Sequence, residues 1–166
     1  PANVKSIMLD VIAALLPAGI AGIYYFGSYA SSVIGVSILS CMLFEYLWQK
    51  IIKKPNSLGD FTAVITGLLL AYNLPPTIPL WIVVIGALFS IIIVKQCFGG
   101  LGHNFINPAL GGRAFLMAGW ASHMTKWVTP SFFGTDAATT ATPLASLKEG
   151  TPVVSTLTDA FLGNVG

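Results

Sequence analysis

Charge is what this sequence of 166 residues has least of: Asp, Glu, Lys and Arg together make up 8% of it. An ordinary soluble domain carries about 25%. A chain so poor in charge cannot cover a water-facing surface, which excludes a soluble globular domain. With 55% hydrophobic residues and a mean hydropathy of +0.80, most of it must have lipid as its solvent. Basic residues are scarce too. Eight Lys and Arg spread over the chain, at a net charge of +2, form no dense stripe for phosphates, so nucleic acid is not expected as a partner. Cysteine is limited to Cys41 and Cys97, both inside apolar runs and without a CxxC. They read as small buried hydrophobes, with a ligand to iron shared with a neighbouring protein as the alternative. His103 and His123 are isolated, so no metal site is expected. A signal peptide is not expected either, because Tyr-rich sequence follows the first apolar run where a small-residue cleavage site would stand.

What is present is a series of five apolar segments: about Ile7 to Phe26, Ser32 to Trp48, Phe61 to Leu74, Leu80 to Val94 and Ile106 to Met124. The first two are separated by a short polar turn at Gly27-Ser28-Tyr29. The pattern predicts an all-α, polytopic membrane fold with about five transmembrane helices over residues 1–125, followed by an external loop over 126–166. The third segment is short. Its 14 residues rise about 21 Å, against a hydrocarbon core of about 30 Å. Closed by Pro75-Pro76 and preceded by Gly59-Asp60, it reads as a tilted or broken helix of the kind that borders cavities in membrane folds. The alternative is a helix that continues through Asn73-Leu74.

Lys5, then Lys50, Lys53 and Lys54, then Lys95 fall at the same end of successive spans, which the positive-inside bias makes cytoplasmic. The fifth span then leads outward, and the tail from about Thr125 begins on the external, periplasmic side. From Ser131 to Thr158 the tail is rich in Thr, Ser, Ala, Gly and Pro and reads as an extended soluble loop. A chain stopping just after such a loop reads as part of a longer polypeptide.

Three features could carry chemistry. Asn107-Pro108-Ala109, after the glycine-rich Phe98-Gly99-Gly100-Leu101-Gly102, suits a helix start: Asn caps and Pro occupies the first turn. The functional alternative is a half-helix N-terminus aimed at a polar cavity, with glycines allowing a flat ligand close approach. Arg113 lies one and a half turns further on. A charge at that depth needs a partner or a polar cavity, unless it snorkels to the headgroups. Glu45 is expected to pair with Lys50, one turn away, and no acidic residue stands clearly at mid-span, so the sequence does not name a coupling ion. The third feature is the external run Asp136-Ala137-Ala138-Thr139-Thr140-Ala141-Thr142. It reads as a generic Thr-rich loop, or as a small-residue segment that lies flat in another protein's active site and presents one hydroxyl.

That run resembles the flavinylation motif of membrane proteins that carry FMN through a phosphoester to threonine. Asp136, Thr139, Ala141 and Thr142 match it, with Thr142 as the acceptor. The departure is Thr140, where the family commonly has glycine; it restricts the backbone and places a competing hydroxyl two residues from the acceptor. The resemblance extends through Phe44-Glu45-Tyr46-Leu47, Thr66 to Pro76, Lys95-Gln96 and Phe98 to Leu110. Together these residues are similar to the flavin-carrying RnfD component of Rnf-type complexes and cover most of 7–145. The corresponding flavin-carrying component of the Na+-translocating NADH:quinone oxidoreductase is a close relative with a longer N-terminal extension.

The resemblance implies ten spans in two inverted repeats of five helices, akin to urea and ammonium channels, of which this chain holds the first. It implies an electron-relay subunit of an ion-translocating ferredoxin:NAD+ oxidoreductase in the inner (plasma) membrane, multi-pass, with the flavin loop outside. The cofactors expected are covalent FMN on Thr142 and a riboflavin held noncovalently within the spans. Asn107 and Arg113 join Asp136, Thr139, Thr140 and Ala141 as expected cofactor-binding residues. The implied partners are the other membrane and peripheral Rnf subunits, a flavin transferase and the lipid bilayer. The alternatives are the flavin subunit of the quinone-reducing relative, a channel-like solute transporter suggested by Asn-Pro-Ala, and a structural membrane subunit.

Overall fold

The structure is a computed structural model that describes residues 3–55, 57–126, 128 and 148. The described chain is helical: α1 (Val4–Phe26), α2 (Ser28–Ile51), α3 (Thr62–Tyr72), α4 (Leu80–Leu88), α5 (Pro108–Gly119) and a single turn, α6 (Ala121–Met124). A 3₁₀ turn, Leu58–Asp60, precedes α3, and α4 runs on as a π-helix over Phe89–Gln96. The five apolar segments all reappear, with two changes. The expected turn at Gly27-Ser28-Tyr29 shrinks to Gly27 alone, whose φ of 77° breaks the helix in one residue. Ser28 and Tyr29 begin α2, and the Tyr29 hydroxyl donates to the Ile78 carbonyl at 3.0 Å. The third segment takes its shorter form, stopping at Tyr72 with the Asn73 side-chain amide donating to the Leu69 carbonyl.

Helices α1 and α2, of 23 and 24 residues, are long and apolar enough to cross a membrane by length and composition. Helix α3 is too short to do so alone, since 11 residues rise only about 16 Å.

The burial pattern of α2 is the reverse of a soluble helix. Val33, Ser37, Ser40, Cys41, Glu45 and Gln49 recur at helical spacing and are buried. The opposite face presents Leu39, Leu43, Leu47 and Ile51, from 41% to 73% exposed. On α1 only Gly19 is buried, while Leu16, Ile20 and Ile23 face outward. Apolar side chains outside and polar ones inside suit a lipid solvent, where an inward hydroxyl or carboxylate finds its partner in protein.

Successive segments alternate in direction. Lys5 lies 5.6 Å from the Phe61 ring, so α1 and α3 begin at one end, the end where α2 finishes with Lys50. Trp81 at the start of α4 meets Trp120 after α5, with ring centroids 5.7 Å apart, at the other end.

The tightest packing is between α2 and α3. The Ser37 hydroxyl donates to the Gly67 carbonyl at 2.7 Å. A Cβ on Gly67 would stand 2.7 Å from the Ile38 Cα and 3.1 Å from the Ser37 carbonyl oxygen, both backbone atoms that cannot rotate away. Small residues at such crossings let membrane helices approach. Gly67→Ala is therefore expected to force the helices apart and lower stability by about 1–3 kcal/mol, read as a lower thermal unfolding midpoint in nanodiscs. An unchanged midpoint would show that the crossing is looser than described.

Candidate functional site

Two polar assemblies interrupt the apolar interior. The larger gathers at the lysine-bearing end, where α2 finishes, α3 begins and the π-helix ends. Lys95 Nζ donates to Glu45 Oε2 at 2.6 Å and to Thr62 Oγ1 at 2.8 Å. Both charged residues are buried. The other carboxylate oxygen, Glu45 Oε1, accepts from the Ser57 hydroxyl at 3.1 Å and the Gln49 amide at 3.3 Å. Gln49 closes a loop by donating to Ser57 Oγ and accepting from the Ser57 backbone N–H.

Local sequence places these groups. Glu45 and Gln49, one turn apart, share the inward stripe of α2. Phe61 takes a left-handed conformation (φ 61°) that turns the chain into α3. Asp60 Oδ1 then accepts from the Thr62 backbone N–H at 2.9 Å and the Thr62 hydroxyl at 2.7 Å, satisfying an otherwise orphaned donor of the helix start. The resulting chain runs Asp60, Thr62, Lys95, Glu45, Ser57 and Gln49, and these six line a cavity of about 200 Å³ whose far wall is Gly99 to Leu101. Lys54 also lines it, so two carboxylates and two ammoniums leave the cavity with no formal net charge at neutral pH.

This geometry corrects the expected Glu45–Lys50 pair. Lys50 lies on the exposed side, 6.0 Å from the Tyr46 ring, and Glu45 reaches across 50 positions of sequence to Lys95. Lys95 is therefore a buried partner, and it still lies at the same end as Lys50 and Lys54, beside the start of α3. Glu45 is buried in the interior, six residues from the end of α2 and not at mid-span. The signal that points to the pair is that one acid and one base both stand within apolar stretches. Each is costly there alone, which favours a mutual pair.

The second assembly is Arg113 with Asn73. Arg113 Nη1 donates to Asn73 Oδ1 at 2.9 Å. Among the described residues no carboxylate approaches within salt-bridge distance of Arg113, so its partner is a neutral amide at the point where α3 stops. Arg113 thus pairs within the protein and does not snorkel. Asn107 performs the expected cap, its Oδ1 accepting from the Ala109 N–H at 2.9 Å with Pro108 in the first turn. Six residues apart on one helix, Asn107 and Arg113 stand about 120° apart around the axis and about 9 Å along it, so the structure does not bring them onto one face. Asp136, Thr139, Thr140, Ala141 and Thr142 lie outside the described residues.

A family model described as "NQR2, RnfD, RnfE family" matches residues 1–166. The RnfD-type subunit of the Na+-translocating ferredoxin:NAD+ oxidoreductase complex of Acetobacterium woodii is 52% identical over 162 residues, 97% of this chain and 50% of that protein. Its counterpart in the proton-translocating ferredoxin:NAD+ oxidoreductase complex of Clostridium ljungdahlii is 46% identical over 146 residues, 88% and 44% of the two chains. The counterpart in the ion-translocating oxidoreductase complex of Rhodobacter capsulatus is 36% identical over 164 residues, 98% and 42%. The chain spans about half the length of the curated relatives it matches.

Proposed function

Since this chain belongs to the NQR2, RnfD, RnfE family, we propose that it is the first membrane half of the electron-relay subunit of an Rnf-type, ion-translocating ferredoxin:NAD+ oxidoreductase, with FMN esterified to Thr142. The observation that carries the reading is similarity along 97% of the chain to a relative named as a subunit of a Na+-translocating ferredoxin:NAD+ oxidoreductase complex, together with the Asp136-to-Thr142 run. Two relatives differ in the ion their names give, Na+ in one and H+ in the other. The proposal covers ion translocation without choosing between them.

On this reading the chain is a multi-pass protein of the plasma membrane. It assembles with the other membrane and peripheral subunits, and its flavin loop lies outside. Helices of alternating direction with Lys5, Lys50, Lys53 and Lys54 at one end support that orientation. On this reading the chain after Met124 continues on the far side, where a flavin transferase would reach it. When bound, the flavin supplies the electron-carrying chemistry, and the protein supplies attachment and surroundings. Thr142 contributes the hydroxyl; Asp136, Thr139, Thr140 and Ala141 supply the small-residue run that the transferase recognises. Within the spans, Arg113 keeps guanidinium donors beyond the one given to Asn73, and these suit the carbonyl edge of a noncovalent riboflavin. Asn107 acts by fixing where α5 starts.

Mass spectrometry of the native complex tests the reading: the peptide covering residues 136–148 is expected to carry the mass of FMN, and finding it only unmodified would overturn the assignment. Replacing the neighbouring hydroxyl, Thr140→Ala, is expected to leave flavin attachment intact. Loss of the flavin in that variant would move the acceptor from Thr142 to Thr140.

A further inference from the structure

The eight-residue π-helix Phe89–Gln96 plays no part in flavin attachment. Widened turns of this kind appear mostly as single-turn bulges and often at functional sites. A longer one must be held by something. Two observations bear on what holds it and what it forgoes.

At its C-terminal end Lys95 is fastened to Glu45 and Thr62 at 2.6 and 2.8 Å. At its N-terminal end Ser90 is fully buried, and its hydroxyl finds no partner among the described residues. Two other helical hydroxyls bond back one turn: Thr66 to the Thr62 carbonyl at 2.9 Å and Thr125 to the Ala121 carbonyl at 2.9 Å. For Ser90 the equivalent acceptor is the Gly86 carbonyl. Both Ser90 Oγ and that carbonyl oxygen crowd the point where a Cβ on Gly112 of α5 would sit, yet they do not bond. The segment thus starts with an unpartnered buried hydroxyl and is fastened only at its far end, by the ion pair.

Returning to α-helical spacing undoes that fastening. A one-residue change of register turns every following side chain by about 100°. Lys95 then swings away from α2. Immediately beyond, Gly99, Gly100 and Gly102 have φ of 111°, 95° and 81°, a run of glycines able to absorb the displacement without steric cost.

We propose that Phe89–Gln96 is a two-register element: the Lys95–Glu45 pair holds the π-helical register, and release of that pair lets the segment relax to an α-helix, leaving the Glu45 carboxylate facing the cavity without its ammonium. A bistable element of this kind converts a local electrostatic event into a rotation of the helix end beside the glycine loop.

The test reads which side chain faces outward. Ile93 is 42% exposed and Val94, the next residue, 3%. Relaxation by one residue carries Ile93 to the buried place of Val94 and Ile92 to the exposed place of Ile93. In the full-length chain in nanodiscs, with Cys41→Ala and Cys97→Ser removing the two free thiols, nitroxide labels are placed singly through Ile92→Cys or Ile93→Cys. Oxygen accessibility is then measured by electron paramagnetic resonance. Position 93 is expected to be the more accessible of the two. Adding Lys95→Gln is expected to reverse the order. Should Lys95→Gln not fold, Glu45→Gln neutralises the other end of the pair and carries the same expectation. An unchanged order in a folded variant overturns the proposal and makes the π-helix a fixed feature of the α4–α5 packing.

Discussion

Expressed in a host that has the flavin transferase, the full-length protein is expected to give a fluorescent band on a denaturing gel under ultraviolet light, and Thr142→Ala to extinguish it. The effect is expected to be all or none, because a phosphoester needs a hydroxyl oxygen and alanine has none. Denaturation removes every noncovalent flavin, so any remaining fluorescence reports a covalent bond. Thr142→Ser keeps the hydroxyl while removing one methyl, and is expected to retain part of the signal. A variant that stays bright would place the acceptor elsewhere in the run, and a dark parent band would favour a channel or a structural role. The measurement is independent of the two-register helix, so either idea can fail while the other stands.

Much of the fold is legible in the sequence because lipid simplifies the code. The five apolar segments recur as helical segments, with ends displaced by a few residues; apolar length is what a hydrocarbon solvent selects. The break after Tyr72 is visible in Pro75-Pro76, since proline cannot continue a helix. The helix start at Asn107-Pro108 is visible in capping chemistry.

Less of the interior site is legible, because its contacts are long-range. Glu45 and Lys95 are 50 positions apart, and periodicity says which face each occupies but not which face meets which. The nearby Lys50 offers a simpler partner at helical spacing. Only the packing of α2 against the π-helix excludes it. Nor does sequence announce a π-helix, for Phe89–Gln96 reads as an ordinary continuation of an apolar run.

The largest loss of stability is expected at Glu45. Glu45→Leu removes the carboxylate that Lys95, Ser57 and Gln49 all address and leaves an ammonium inside the bundle with only Thr62 to receive it. Breaking a buried pair from one side costs roughly 3–5 kcal/mol, much of it the desolvation of the charge left behind. Replacing both partners by apolar residues of similar size removes that stranded charge, so Glu45→Leu with Lys95→Met should recover most of the loss. The two single variants and the double, compared by thermal unfolding in nanodiscs, form a cycle in which the double is expected to lose far less than the singles sum to. If Glu45→Leu costs less than about 1 kcal/mol, typical of an exposed pair, water reaches the cavity freely and the ion pair is no anchor. If instead the double variant is as unstable as the sum of the singles, the residues contribute through packing alone. The pair could then not hold the π-helical register, since an interaction without coupling energy cannot favour one register over another.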